Sequence, residues 1–186
     1  VGLKTKDIVL VALFAALIVV LSLMPPIPVP VVPVPLTLQT LGVMLAGLVL
    51  GPRRGALAVT LYVALALLGI PVLPGGRAGL AVLAGPTAGF LLGMIPGAAV
   101  TGWLAGSPQP AASRSAGLQV CRCWLAAAVG SMGVVYLVGI PWMAMVAGMD
   151  PAKAIWAMVV FIPGDLIKAL LAAVIAQRVR LAVATV

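Results

Sequence analysis

The sequence predicts an all-α membrane protein, a bundle of six transmembrane helices with its N- and C-termini in the cytoplasm. Three observations carry that reading. Of 186 residues, 64% are hydrophobic and 8% are charged, where a soluble domain carries about 25% charged residues. So little charge cannot cover a water-facing surface, and lipid is the natural solvent. The apolar residues also fall into six runs, set against the roughly 20 residues that a helix needs to cross a bilayer. Finally, basic residues recur on alternate connections between those runs. Six crossings with short connections use nearly the whole chain, which predicts a single transmembrane domain over residues 1–186.

The first helix is expected over Ile8–Met24. Lys4 and Lys6 ahead of it imitate a signal peptide, but no small-residue cleavage site follows, so it is read as a helix that stays. Residues 25–35 then hold six prolines in eleven positions. Each lacks an N–H and restricts its predecessor, so this apolar stretch is expected to be an extended, polyproline-like loop. A short second helix over Leu36–Leu50, a tight basic turn at Gly51-Pro52-Arg53-Arg54-Gly55 and a third helix over Ala56–Leu68 follow. Gly69–Pro86 reads as a long loop rich in Gly and Pro. The fourth helix is placed over Thr87–Gly106, a polar linker over Ser107–Gly117 and the fifth helix over Val120–Val146. After a new turn at Met149-Asp150-Pro151, the sixth helix is placed over Ala152–Gln177. Gly85, Gly89, Gly93 and Gly97 recur every fourth residue around the fourth helix, a spacing that lets helix backbones approach closely within the chain. Ala12 and Ala16 make a similar small pair on the first helix, available to a partner.

Eleven Lys and Arg face three acids, a net charge of +8. In a soluble protein that excess raises the idea of nucleic acid. Here Lys4, Lys6, Arg53, Arg54, Arg114, Arg122, Arg178 and Arg180, eight of the eleven bases, fall on one set of alternate connections. The opposite set holds Arg77, and Lys153 beside Asp150. The asymmetry is a topology signal that puts both termini in the cytoplasm, and an odd number of helices would break it.

The same composition excludes several chemistries. There is no His, and Cys121 and Cys123 without a nearby acid make a poor metal site and no disulfide framework. No nucleophile elbow appears, and Asp165 has no second acid beside it, so no enzyme is expected. No glycine loop with a Lys for phosphate is present, so ATP as a driving force would have to come from another subunit. No cofactor is expected.

Asp165 and Lys168 stand well inside the sixth helix, where burying a charge costs about 2.5–3.5 kcal/mol. Their i, i+3 spacing puts both on one helix face, able to neutralise each other, and Pro163-Gly164 just before them loosens the helix. A functional site is the default reading of such residues; an ion pair that only fixes helix packing is the alternative. Arg77 in the outer loop is either a ligand contact or a solvated base. Gln39, Thr37 and Thr40, near the outer end of the second helix, either line a cavity or satisfy loop backbone freed by the prolines.

Four strings occur in order: Val34-Pro35-Leu36-Thr37-Leu38-Gln39-Thr40-Leu41-Gly42, Leu50-Gly51-Pro52-Arg53-Arg54-Gly55, Gly85-Pro86-Thr87-Ala88-Gly89-Phe90 and Pro163-Gly164-Asp165-Leu166-Ile167-Lys168. Together, over nearly the whole chain, they resemble the BioY family, the biotin-binding S components of energy-coupling-factor (ECF) transporters. The resemblance implies a bundle in the cytoplasmic membrane that binds biotin near its outer face. It further implies docking on a membrane-embedded coupling protein with two ATPase subunits, for high-affinity biotin uptake. In such families an Ala-xxx-Ala pattern on the first helix contacts the coupling protein, and Ala12 and Ala16 match it. The acid and Lys of the last string contact the biotin head group, and Asp165 and Lys168 match them. Arg77, Gln39 and Thr87 join the expected substrate-binding set. In the third string Ala88 and Phe90 replace a Gly and a Tyr, which removes a Tyr hydroxyl from that position. Capture of another water-soluble vitamin, an intramembrane enzyme using Asp165, and a structural membrane subunit are the competing readings.

Overall fold

The computed structural model describes residues 4–30, 32–106 and 116–184. Among the described residues the chain is helical with no strand; β-type pairing is limited to two isolated bridges, Ile27 with Leu36 and Leu73 with Arg77. Helix α1 covers Thr5–Ser22 and α2 covers Gln39–Leu67. Two short 3-10 turns, Pro74–Gly76 and Leu80–Ala84, lead to α3, Ala88–Ala105. Helix α4, Ala116–Ala127, passes through a π turn at Ala128–Gly133 into α5, Val134–Ala147. Helix α6, Pro151–Met158, passes through a 3-10 turn at Val159–Phe161 into α7, Ile162–Ala184. Five of the resulting rods are long and apolar enough to cross a membrane by length and composition.

One of those five, α2, is broken at Gly51, whose φ of 81° and ψ of −177° are open essentially to glycine alone. A Cβ built on Gly55 would fall 3.0 Å from Gly47 Cα, although eight residues of straight helix span about 12 Å. The chain therefore doubles back, and the expected second and third helices are the two arms of α2. The expected five-residue turn shrinks to one residue because Pro52 takes the first helical position after the break. A missing N–H costs nothing there.

Other boundaries move for equally local reasons. The proline-rich loop is pinned at its ends, Ile27 and Leu36 exchanging both N–H to carbonyl bonds at 2.9 Å. Asp150 accepts from the N–H groups of Ala152 and Lys153 and so caps α6. The expected sixth helix is two helices, and the break falls at Val159–Phe161 rather than at Pro163-Gly164. Proline at 163 sits in the first turn of α7, where it is tolerated. Most of the expected Ser107–Gly117 linker, with Arg114, lies outside the described residues, and the fifth span starts at Ala116 rather than Val120.

Helix α3 is the most enclosed, 61% of its residues buried against 17% for α1. Its glycines are the reason. A Cβ on Gly93 would lie 3.2 Å from Val138, one on Gly97 3.1 Å from Val135, and one on Gly89 would overlap Trp142, so this stripe seats α5. The fourth member, Gly85, lies ahead of the helix. On α7 the small residues Ala169, Ala172, Ala173 and Ala176 form the buried face. Outward-facing Leu13, Trp103, Leu137, Trp156 and Ile167 are exposed apolar side chains, as lipid requires.

One end of the bundle gathers the ends of the chain. Asp7 of α1 pairs with Arg54 at 3.2 Å, and Arg180 of α7 donates to the carbonyls of Leu48 and Gly106. Arg122 donates to Leu104 O at 3.3 Å. Arg122 and Arg180 thus meet helix C-terminal carbonyls that have no partner in their own helix. The opposite end carries the proline-rich loop, residues 69–87 and the start of α6.

Candidate functional site

The site is organised by the first turn of α7. Because the 3-10 turn ends at Phe161, Asp165 lies not in mid-helix but near a fresh helix N-terminus, whose dipole favours a carboxylate. Lys168, one turn on, donates from Nζ to Asp165 Oδ1 at 2.8 Å. Tyr136 of α5 donates from Oη to Asp165 Oδ2 at 2.5 Å. Asp165 and Lys168 are both buried, 4% and 6% exposed, so each charge depends on the other. Lys168 Nζ is also 3.4 Å from Thr40 Oγ1 of α2. A carboxylate offers about four lone-pair sites and an ammonium three donors. With these partners in place, Asp165 retains accepting capacity on both oxygens and Lys168 retains a donor.

These groups open on a cavity whose empty space, its open mouth included, is about 660 Å³. Its walls come from the proline-rich loop (Val34, Pro35), α2, the 69–87 loop, α3, α5 and the α6–α7 junction. All five residues of the expected substrate set, Asp165, Lys168, Arg77, Gln39 and Thr87, line this one cavity, and so do Thr37 and Thr40. Gln39 is buried and its Nε2 reaches Met94 Sδ at 3.3 Å. Arg77 is exposed, its Nε bonded to Pro74 O at 3.2 Å and Nη1 3.4 Å from Thr87 Oγ1. The site is thus polar at α7, apolar through Leu91, Met94, Val135 and Phe161, and cationic at Arg77.

Ala12 and Ala16 lie elsewhere. Both are exposed on the face of α1 that also presents Val9, Leu13 and Val20, and neither lines the cavity. Tyr136 is the residue that sequence reasoning missed. The chain has two tyrosines, and a hydroxyl in the middle of an apolar span needs a partner; that signal was available. Phe90 packs edge-on against Tyr136, ring centroids 6.5 Å apart, and so buttresses its ring. Among the described residues no group of three His, Cys, Asp or Glu side chains is placed to hold a metal.

A family model described as the BioY family matches residues 1–185. The chain belongs to the BioY family. Among its relatives, "Biotin transporter BioY" of Rhizobium etli is 51% identical over 178 residues, covering 95% of this chain and 94% of that protein. The protein of the same description from Rhodobacter capsulatus is 44% identical over 184 residues, covering 94% and 93%. A crystal structure of the S component for biotin from an ECF-type ABC transporter superposes with a TM-score of 0.86 at 31% identity, covering 96% of this chain and 95% of that one. This BioY family member therefore shares the fold of that component along almost its full length.

Proposed function

We propose that the chain is the biotin-binding S component of an ECF transporter, a multi-pass protein of the cytoplasmic membrane and not an enzyme. The observation that carries the proposal is the buried Asp165–Lys168 pair facing a cavity that is otherwise mostly apolar. Biotin presents a ureido ring with two N–H donors and a carbonyl acceptor. Asp165 accepts from the N–H groups and Lys168 donates to the carbonyl, both charge-assisted bonds in a site shielded from water. Leu91, Met94, Val135 and Phe161 take the thioether ring and aliphatic tail. Arg77 at the mouth meets the carboxylate, a pairing suited to the guanidinium fork. Gln39 and Thr87 complete the polar contacts.

Transport driven by ATP requires a partner, since this chain has no phosphate-binding loop. The exposed face of α1 around Ala12 and Ala16 receives the ECF coupling protein, which joins the ATPase subunits; small side chains allow the backbones to approach. Counting the arms of α2 separately, the chain crosses the membrane six times. Both termini are cytoplasmic, supported by the basic residues at the end of the bundle that holds Asp7, Arg54 and Arg180.

The proposal is tested by the thermal stability of the purified chain against a panel of water-soluble vitamins. Biotin alone is expected to raise the midpoint, by linkage of binding to folding. Stabilisation by a different vitamin reassigns the ligand, and stabilisation by none removes the capture function.

A further inference from the structure

The span that carries Tyr136 leaves α-helical geometry at Ala128–Gly133 for a π turn. Such turns are rare and concentrate at functional sites. Here an identifiable contact holds it. Gly130 lies so close to α3 that a Cβ would overlap Thr101 Oγ1 and the Thr101 backbone N. The next residue, Ser131, is buried, and its hydroxyl meets that of the fully buried Thr101 at 2.9 Å. Inside a bilayer two hydroxyls satisfied by each other form a contact that is costly to break. Neither residue lines the cavity.

The consequence lies one turn further on. A π turn takes one more residue than an α turn. Were residues 128–133 to close as α-helix with α4 held in place, every side chain from Val134 onward would rotate by one residue, roughly 100°. Tyr136 would leave Asp165, and Val135, Val138 and Trp142 would leave their seats against the glycines of α3. We infer that the Thr101–Ser131 hydroxyl pair is a positioning device for the ligand site: by holding the π turn it aims Tyr136 at Asp165. Tyr136 on Oδ2 and Lys168 on Oδ1 then fix the plane of the carboxylate from two separate elements, so its remaining lone pairs point in set directions. Without Tyr136 the carboxylate is held at one oxygen and turns about its own terminal torsion, which is soft. This inference rests on the reading of Asp165 as a ligand contact.

A double-mutant cycle on the purified full chain tests it, read by biotin affinity and separately by thermal midpoint. Thr101→Val and Ser131→Ala each remove one hydroxyl; Thr101→Ser keeps it. Loss of the positioned hydrogen bond predicts about a tenfold weaker biotin affinity for the first two, with Thr101→Ser close to the parent. In a Tyr136→Phe background, Thr101→Val is expected to add less than about a twofold loss, because its route to the ligand is already cut. The same loss in both backgrounds overturns the inference. So does a lower midpoint with unchanged affinity, which makes the pair a packing contact. If Thr101→Val does not fold, Ser131→Ala, which only removes an atom, gives the same comparison. A parent chain that binds no biotin instead overturns the ligand reading.

Discussion

Replacing Asp165 by Asn keeps an acceptor oxygen and removes the charge. The carboxylate is buried, 2.8 Å from Lys168 Nζ and 2.5 Å from Tyr136 Oη, so the change acts twice. On the ligand, each hydrogen bond to a charged group is worth roughly 1.5–3 kcal/mol, and its loss lowers biotin affinity by about one to two decades. On the protein, Lys168 loses its counter-charge while staying buried, and breaking such a pair costs about 3–5 kcal/mol. Thr40, at 3.4 Å, is a neutral and distant partner that does not make up the difference. The double variant Asp165→Asn with Lys168→Met removes the stranded ammonium. Yield and thermal midpoint are therefore expected to recover in the double variant, while biotin affinity stays low or falls further. Titration calorimetry on detergent-solubilised protein, with midpoints measured on the same samples, separates the two effects. A well-folded double variant with unchanged biotin affinity would refute the argument, since the pair would then only hold helices together.

Three further outcomes follow from other parts of the bundle. With Cys121 and Cys123 replaced, a cysteine at Gly75 is expected to react with an impermeant reagent from outside and one at Arg53 is not; the reverse pattern inverts the topology. Ala12→Leu or Ala16→Leu, each adding bulk to an exposed face of α1, is expected to lower recovery of the complex with the ECF coupling protein while biotin binding survives, and loss of binding with intact assembly contradicts that assignment. Gly51→Ala forces a side chain onto φ 81°, ψ −177°, at a cost of about 1–3 kcal/mol. The midpoint should fall with biotin affinity unchanged, because Gly51 does not line the cavity.

What the sequence revealed and what it hid have physical reasons. Asp165 and Lys168 stood out because charge in an apolar run is costly, and Gly51-Pro52 stood out because the pair cannot continue a helix unbroken. Both features act locally. The break at Val159–Phe161 could not be read, since Val-Val-Phe contains no helix breaker; Pro163 drew attention away although it lies within the first turn of α7. The π turn was equally hidden, because it answers to Gly130 meeting Thr101 of another helix rather than to any propensity of Ala128–Gly133. Tyr136 was missed for a related reason: its partner Asp165 is 29 residues away and the two meet only once α5 and α7 are packed. Arg77, Gln39 and Thr87 came from separate segments, and only the fold brings them to one cavity.

The most direct test of the central claim is titration of biotin into the purified chain by itself, with no coupling protein or ATPase present. The site is built entirely from side chains of this chain, so saturable binding of one biotin per chain is expected, and Lys168→Met should weaken it strongly. Absence of binding to the isolated, folded chain, or binding that Lys168→Met leaves unchanged, would contradict the account.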